Sequence, residues 1–204
     1  MIKNIIFDFG DVFINLDKKA PAQALKKMGI PDLDEEMLTL NNNYERGLIT
    51  SEKLIDTYLE KYPSLTRLSF LSAWNSILLD FPQHRLDWLR TLTSEKKYRL
   101  FLLSNTNDLH IEFVIKSMGA IRYEQFRECF EQFYLSQQIK MRKPDLIIYD
   151  CVLTQNKLNA KETLFIDDTL VNTAAAAAMD INTWHLEPGQ EDVTQLFKIK
   201  ADLF

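Results

Sequence analysis

Residues 3–12 read Lys-Asn-Ile-Ile-Phe-Asp-Phe-Gly-Asp-Val, an apolar run that ends on an acidic residue and a glycine. Unbroken apolar stretches of this length, without polar alternation, are the pattern of strands buried on both faces, as parallel sheets require. The same pattern returns at Tyr98–Leu103 (YRLFLL), Glu131–Leu135 (EQFYL), Thr163–Ile166 (TLFI) and Asn182–Leu186 (NTWHL). Helical spacings at Asp108–Met118, Asp145–Gln155 and Leu170–Met179 separate the later runs. Strand alternating with helix predicts an α/β fold with a Rossmann-like, doubly wound parallel sheet.

The interval between the first and second strands breaks this rhythm. Leu16–Met28, Asp34–Asn41, Ser51–Tyr62 and Thr66–Leu78 each carry i, i+3, i+4 apolar spacing, with Asp34 and Ser51 as candidate N-caps. One crossover helix needs far fewer residues. The expected organisation is a Rossmann-like layer from residues 1–14 and 83–204, re-entered through a helix at Gln83–Ser94, with a small helical module (15–82) inserted after the first strand.

Composition narrows the function. The 204 residues carry 24 Lys+Arg against 29 Asp+Glu, a net charge of −5, which disfavours a sequence-independent nucleic-acid binder. The densest basic cluster is Lys140–Lys143. At 46% hydrophobic and 26% charged the chain is ordinary for a globular protein. With no apolar run long enough to span a bilayer and no signal-peptide pattern, no membrane association is expected and a cytoplasmic location is. A monomer or weak homodimer is expected. Cys129 and Cys151 lack metal-ligand or redox spacing and read as reduced thiols.

In open α/β sheets, ligands bind beyond the carboxyl ends of the strands. Those ends carry Asp8-Phe9-Gly10-Asp11, Ser104-Asn105-Thr106-Asn107, Lys143-Pro144 and Asp167-Asp168. Asp8, Asp167 and Asp168, converging with one ammonium and one hydroxyl, call for a cation. Hard oxygen donors without His or Cys select Mg²⁺. A Mg²⁺ beside a carboxylate, a lysine and a hydroxyl suits phosphoryl transfer, where catalysis is largely positioning and charge neutralisation.

Asp8, Ser104 and Asp167-Asp168, each at a strand end, with Lys143-Pro144 near the third strand and in this order, resemble the four motifs of the haloacid dehalogenase (HAD) superfamily with a helical C1-type cap. The segments FDFGDV, LLSNTNDLH, YLSQQIKMRKPDLIIY and FIDDTLVN, with Tyr44-Glu45-Arg46-Gly47 in the cap, resemble the bacterial sugar-phosphate phosphatases of the α-D-glucose-1-phosphate phosphatase group. The resemblance covers essentially the whole chain. It implies a Mg²⁺-dependent phosphatase acting on a small phosphorylated metabolite, with Asp8 as the nucleophile that forms an aspartyl-phosphate. It further implies that Ser104 and the Asn105 backbone hold phosphate oxygens and that Lys143 neutralises phosphate and nucleophile. Asp8, Asp168 and the Gly10 carbonyl would ligate the metal, with Asp167 an outer or alternative ligand and Asn172 orienting the last motif loop.

The sequence departs from the family pattern at Gly10, where most members carry a second aspartate as general acid and base. Loss of a positioned acid costs ~10²–10⁴ in rate. The loss weighs least on leaving groups that are weak bases, so anomeric, aryl or acyl phosphates are expected to be preferred. Asp11, one residue on, points to the other side of an extended chain and is expected to stabilise the turn. Two alternatives remain: a phosphate-binding or regulatory protein with weakened catalysis, and a dehalogenase-type hydrolase, which the Asp167-Asp168 pair opposes by repelling an anionic haloacid. For Ser104 and Asn105 a helix N-cap is the competing role. His84, His110 and His185 are read as structural; Tyr44 and Arg46 either contact substrate or form a turn.

Overall fold

A computed structural model describes residues 1–30 and 32–204. In chain order it comprises β1 (Asn4–Phe7), α1 (Ala20–Lys27), α2 (Glu35–Glu45), α3 (Ser51–Lys61), α4 (Arg67–Asn75), α5 (Gln83–Ser94), β2 (Arg99–Ser104), α6 (Asp108–Met118) and α7 (Ala120–Arg127). There follow β3 (Gln132–Leu135), α8 (Ser136–Ile139), α9 (Leu146–Asn156), β4 (Thr163–Asp167), α10 (Leu170–Ala177), β5 (Asn182–His185) and α11 (Leu196–Ile199), with short 3₁₀ turns between some elements. The five strands form one sheet in the order β3-β2-β1-β4-β5, every pair parallel. This is the expected α/β, doubly wound sheet, with β1 at its centre.

Alternation along the strands explains the two layers of helices. Ile5, Phe7, Leu100, Leu102, Leu164 and Ile166 pack with Leu86 and Leu89 of α5 and Phe126 of α7 on one face. Ile6, Phe101, Leu103 and Phe165 pack with Ile148 and Val152 of α9 and Ala176 of α10 on the other. Both faces are covered, so the strands read as unbroken apolar runs. Helices α1–α4 have a core of their own, built on Met37, Leu54, Ile55, Tyr58 and Phe70, which Leu109 of α6 joins.

Two helix ends in this insert differ from expectation for one reason. Leu16 bridges Leu78 in antiparallel fashion, Asn15 N–H donates to Asp80 O at 2.9 Å, and Asp17 N–H donates to Ile77 O at 2.9 Å. The two crossings between layers are thus extended and paired, so α1 starts at Ala20 instead of Leu16 and α4 stops at Asn75 instead of Leu78. Asp34 caps α2 as expected. The cap of α3 is Thr50, whose hydroxyl accepts from Lys53 N–H at 3.2 Å, while Ser51 is the first helical residue and its hydroxyl lies 2.7 Å from Tyr44 OH. Among the described residues no helix is long and apolar enough to cross a membrane, and both cysteines are free.

Candidate active site

The parallel register brings four chain segments to one edge. Asp8 N–H donates to Ile166 O at 2.8 Å, extending the β1–β4 ladder by one step and setting Asp8 beside Asp167. From the far side, Asn105 clamps the backbone of Lys143: its Nδ2 donates to Lys143 O and its Oδ1 accepts from Lys143 N–H, both at 2.9 Å. Lys143 Nζ then reaches Asp8 Oδ1 at 2.8 Å, Asp167 Oδ2 at 2.6 Å and Leu103 O at 2.8 Å. An ammonium has three donors, and all are used. The Lys143 side chain is fully buried; burial pulls its ammonium down, but Asp167 and Asp8 more than offset this and hold it above the ordinary lysine range.

The two adjacent aspartates have different surroundings. Asp167 Oδ1 accepts from Thr169 N–H at 2.8 Å, and Asn172 Nδ2 lies 3.1 Å from both carboxylate oxygens, so Asp167 is saturated by donors. Asn172 is steadied through its own carbonyl, which accepts from Tyr149 OH at 2.9 Å. Asp168 instead faces Lys18, with which it pairs, and its backbone carbonyl accepts from His185 Nε2 at 3.0 Å. Lys18 also pairs with Asp11 at 3.1 Å.

Carboxylate oxygens of Asp8, Asp167 and Asp168 lie within 4.8 Å of one another. Burial pushes the Asp8 carboxyl up to about 7; Lys143 opposes the rise, and Asp167 and Asp168 add to it. Burial likewise raises Asp168, against the pull of Lys18. Two lysines therefore leave this buried acidic group short of positive charge, and an all-oxygen donor set of this kind fits Mg²⁺. Gly10 directly follows in the β1 turn and lines, with Ser104, Asn105, Leu16 and Glu45, a cavity of about 110 Å³. A Cβ at position 10 would fall 2.7 Å from Leu16 Cδ1, so Leu16 occupies the space that a larger residue would need. A larger apolar cavity of about 390 Å³ lies within the helical insert, lined by Leu25, Tyr58, Phe70 and Trp74, with Lys18 at its edge.

Asp11 is engaged as a turn carboxylate, its Oδ1 accepting from Leu16 N–H at 2.9 Å, but not for the expected reason: the chain is left-handed there, with φ 54°, rather than extended, and Lys18 links Asp11 to Asp168. Neither Ser104 nor Asn105 caps the following helix, since Asn107 does so by accepting from His110 N–H at 3.0 Å. His110 Nε2 donates to Trp74 O at 3.2 Å and Nδ1 accepts from Asn107 Nδ2 at 3.0 Å, and burial lowers its pKa to about 4. His84 lies 3.1 Å from Asp192. All three histidines thus make structural contacts, as their lack of ligand spacing suggests.

The stretch Tyr44-Glu45-Arg46-Gly47 joins the insert to the sheet layer at every residue. Tyr44 OH accepts from Leu109 N–H at 3.1 Å, Ser136 Oγ donates to Glu45 O at 2.7 Å, Glu45 pairs with Arg142 at 2.9 Å, and Arg46 pairs with Asp145 at 2.8 Å. At Gly47, φ is +63° and a Cβ would fall 1.9 Å from the Gln137 carbonyl oxygen. Gly47→Ala is therefore expected to destabilise the fold by at least about 1–2 kcal/mol from the left-handed backbone alone, more once Gln137 is displaced. Urea unfolding checks this; an unchanged midpoint would mean that the close approach is not retained in solution. Nothing local assigns a role to Lys18, Glu45, Ser136 or Arg142, because their partners lie far away along the chain.

Comparison with known proteins agrees with this geometry. A D-ribitol-5-phosphate phosphatase from Bacteroides thetaiotaomicron is 28% identical over 200 residues, covering 94% of this chain and 95% of that protein. A HAD family enzyme from the same species, solved as a magnesium complex, is 37% identical with a TM-score of 0.85, covering 97% of this chain and 98% of that one. The wild-type form of that enzyme, solved with magnesium and inorganic phosphate, superposes with a TM-score of 0.83 at 36% identity over 97% of this chain and all (100%) of its own. Residues 5–185 match the haloacid dehalogenase-like hydrolase family, and with the motif residues gathered at one sheet edge the chain belongs to that family.

Proposed function

We propose that the chain is a Mg²⁺-dependent phosphatase that hydrolyses a small sugar phosphate through an aspartyl-phosphate on Asp8. The observation that carries this reading is the Asp8 carboxylate held 2.8 Å from a buried ammonium, with two further aspartates at metal-binding distance. A sugar-alcohol phosphatase among the relatives, and relatives solved with magnesium and phosphate, support it. In this reading residues 15–82 act as the cap over a core of 1–14 and 83–204. A cytoplasmic location and a monomer or weak homodimer belong to the same reading.

Asp8 attacks phosphorus, the bond to the leaving oxygen breaks, and water then displaces phosphate from the aspartyl-phosphate and restores the carboxylate. Lys143 holds the nucleophile in place and offsets charge on the phosphoryl oxygens. The Ser104 hydroxyl and the Asn105 backbone, on the wall of the small cavity, hold the other phosphate oxygens. Asp8, Asp168 and the Gly10 carbonyl would hold Mg²⁺, with Asp167 outside them orienting Lys143. When bound, the metal neutralises the phosphate and the acidic edge so that an anionic ester can approach.

Gly10 supplies no acid from the core, so substrates whose leaving oxygen depends least on protonation are expected to be favoured. An anomeric phosphate leaves as a hemiacetal oxyanion, a weaker base than a primary alkoxide, and needs less help from an acid. Glucose-1-phosphate is expected to be hydrolysed with a higher kcat/KM than glucose-6-phosphate; the reverse order would overturn the leaving-group argument. A Mg²⁺-supplemented screen of phosphorylated metabolites tests the wider reading. Turnover abolished by EDTA is expected. Absence of turnover across the panel would favour a phosphate-binding role, and metal-independent activity would favour dehalogenase-type chemistry.

A further inference from the structure

Gly10 leaves the departing oxygen without an acid, yet the cavity that Gly10 lines is not without a carboxyl. Among the residues forming its wall, only Glu45 and His110 titrate. His110 has both ring nitrogens engaged and is neutral, with its pKa lowered to about 4 by burial. Glu45 differs on each count. Its Oε2 pairs with Arg142 at 2.9 Å, while Oε1 has no protein partner among the described residues. Its backbone is pinned: Ser136 Oγ donates to Glu45 O at 2.7 Å and accepts from Thr106 N–H at 3.0 Å, tying this cap residue to the loop that carries Ser104 and Asn105. Tyr44 and Arg46 on either side are held by Leu109 and Asp145, so the side chain projects from a fixed base.

Resting on the phosphatase reading above, we infer that Glu45 of the helical insert is the general acid and base that position 10 lacks. As Asp8 attacks and the phosphorus–oxygen bond breaks, the protonated Glu45 gives its proton to the leaving oxygen, directly or through one water. In the second step the Glu45 carboxylate takes a proton from the water that attacks the aspartyl-phosphate, returning to its starting form as phosphate and Asp8 separate. Burial raises the Glu45 carboxyl above the ordinary glutamate range, in the direction an acid requires, while Arg142 and Arg46 limit the rise. Glu45 shares the small cavity with Gly10, Ser104 and Asn105, and a residue on the cap places the acid only when cap and core are closed.

The competing role for Glu45 is an ion-pair partner that docks the cap through Arg142. Glu45→Gln, Glu45→Asp and Arg142→Ala separate the two in the full chain with Mg²⁺, using p-nitrophenyl phosphate and glucose-6-phosphate. The ratio kcat/KM covers steps through departure of the leaving group, and p-nitrophenolate leaves without protonation. Glu45→Gln is expected to lower kcat/KM for glucose-6-phosphate by about 10²-fold and for p-nitrophenyl phosphate by less than about 10-fold. The parent's fall in kcat/KM for the sugar phosphate as pH rises through the Glu45 pKa is expected to flatten in Glu45→Gln. Glu45→Asp should restore part of the rate, and Arg142→Ala should keep the parent's ratio between the two substrates. Equal losses on both substrates in Glu45→Gln, or the same selective loss in Arg142→Ala, would overturn the assignment while leaving the phosphatase reading intact. No turnover of either ester by the parent chain would overturn both.

Discussion

Asp8→Asn is expected to abolish turnover, by about 10⁴-fold or more, because a carboxamide oxygen is a poor nucleophile and the proposed reaction assigns the attack on phosphorus to Asp8 alone. The fold should survive the change. The new carboxamide can still accept from Lys143 through its oxygen, and the crowded group of Asp8, Asp167 and Asp168 loses one buried charge. The sign of the stability change is fixed by the Asp8 carboxyl, which rises on folding from 3.8 to about 7. The folded chain therefore binds this proton more tightly than the unfolded chain, so its contribution to stability is fullest below 3.8 and is lost as pH rises toward about 7. In chelator, the parent should thus lose stability relative to Asp8→Asn across that window, and thermal melts at a series of pH values check it. Residual activity above a tenth of the parent's would rule out Asp8 as the nucleophile.

Lys143→Met is expected to damage both stability and activity. Its ammonium is the shared partner of Asp8 and Asp167, at 2.8 and 2.6 Å, in a place with no solvent access to the lysine side chain. Removing one partner of a buried ion pair costs about 3–5 kcal/mol, less where the stranded carboxylates take up protons. Activity should fall by about 10³-fold as charge stabilisation at the phosphoryl group is lost. Arginine is not an adequate replacement, since its planar fork cannot repeat three bonds that converge on a compact ammonium. Urea unfolding in chelator and steady-state kinetics with Mg²⁺ measure the two effects. An unchanged midpoint with only a raised KM would show that Lys143 merely binds substrate and does not hold the buried carboxylates together.

Much of the fold is legible along the chain because its causes are local. Ile5-Ile6-Phe7 and Leu100–Leu103 read as buried strands since both faces of a parallel sheet are covered, and the helices at Gln83–Ser94 and Asp108–Met118 have the limits their apolar spacing predicts. The site motifs are legible for a related reason: a parallel sheet sends the end of every strand to the same edge, so Asp8, Ser104 and Asp167 meet once the strands are recognised. Legibility fails where a contact joins distant segments. The pairing of residues 15–17 with 77–80 shortens two helices that periodicity alone extends. The helix at Ala120–Arg127, directly after Gly119, and the single turn at Ser136–Ile139 also carry too little pattern to be read in advance.

The sequence by itself determined the layer architecture, the order of the motifs and the absence of an aspartate at position 10, all of which follow from residue type and spacing. Only the tertiary structure decided what surrounds that absence. Leu16 fills the space beside Gly10, Lys18 meets Asp168 across 150 positions of chain, and Glu45 arrives at the same cavity from the helical insert. Such meetings depend on how the insert docks on the sheet, through Gly47 against Gln137 and through the ion pairs of Glu45 and Arg46. No local periodicity records that docking, because each partner is an ordinary surface residue until the other layer covers it.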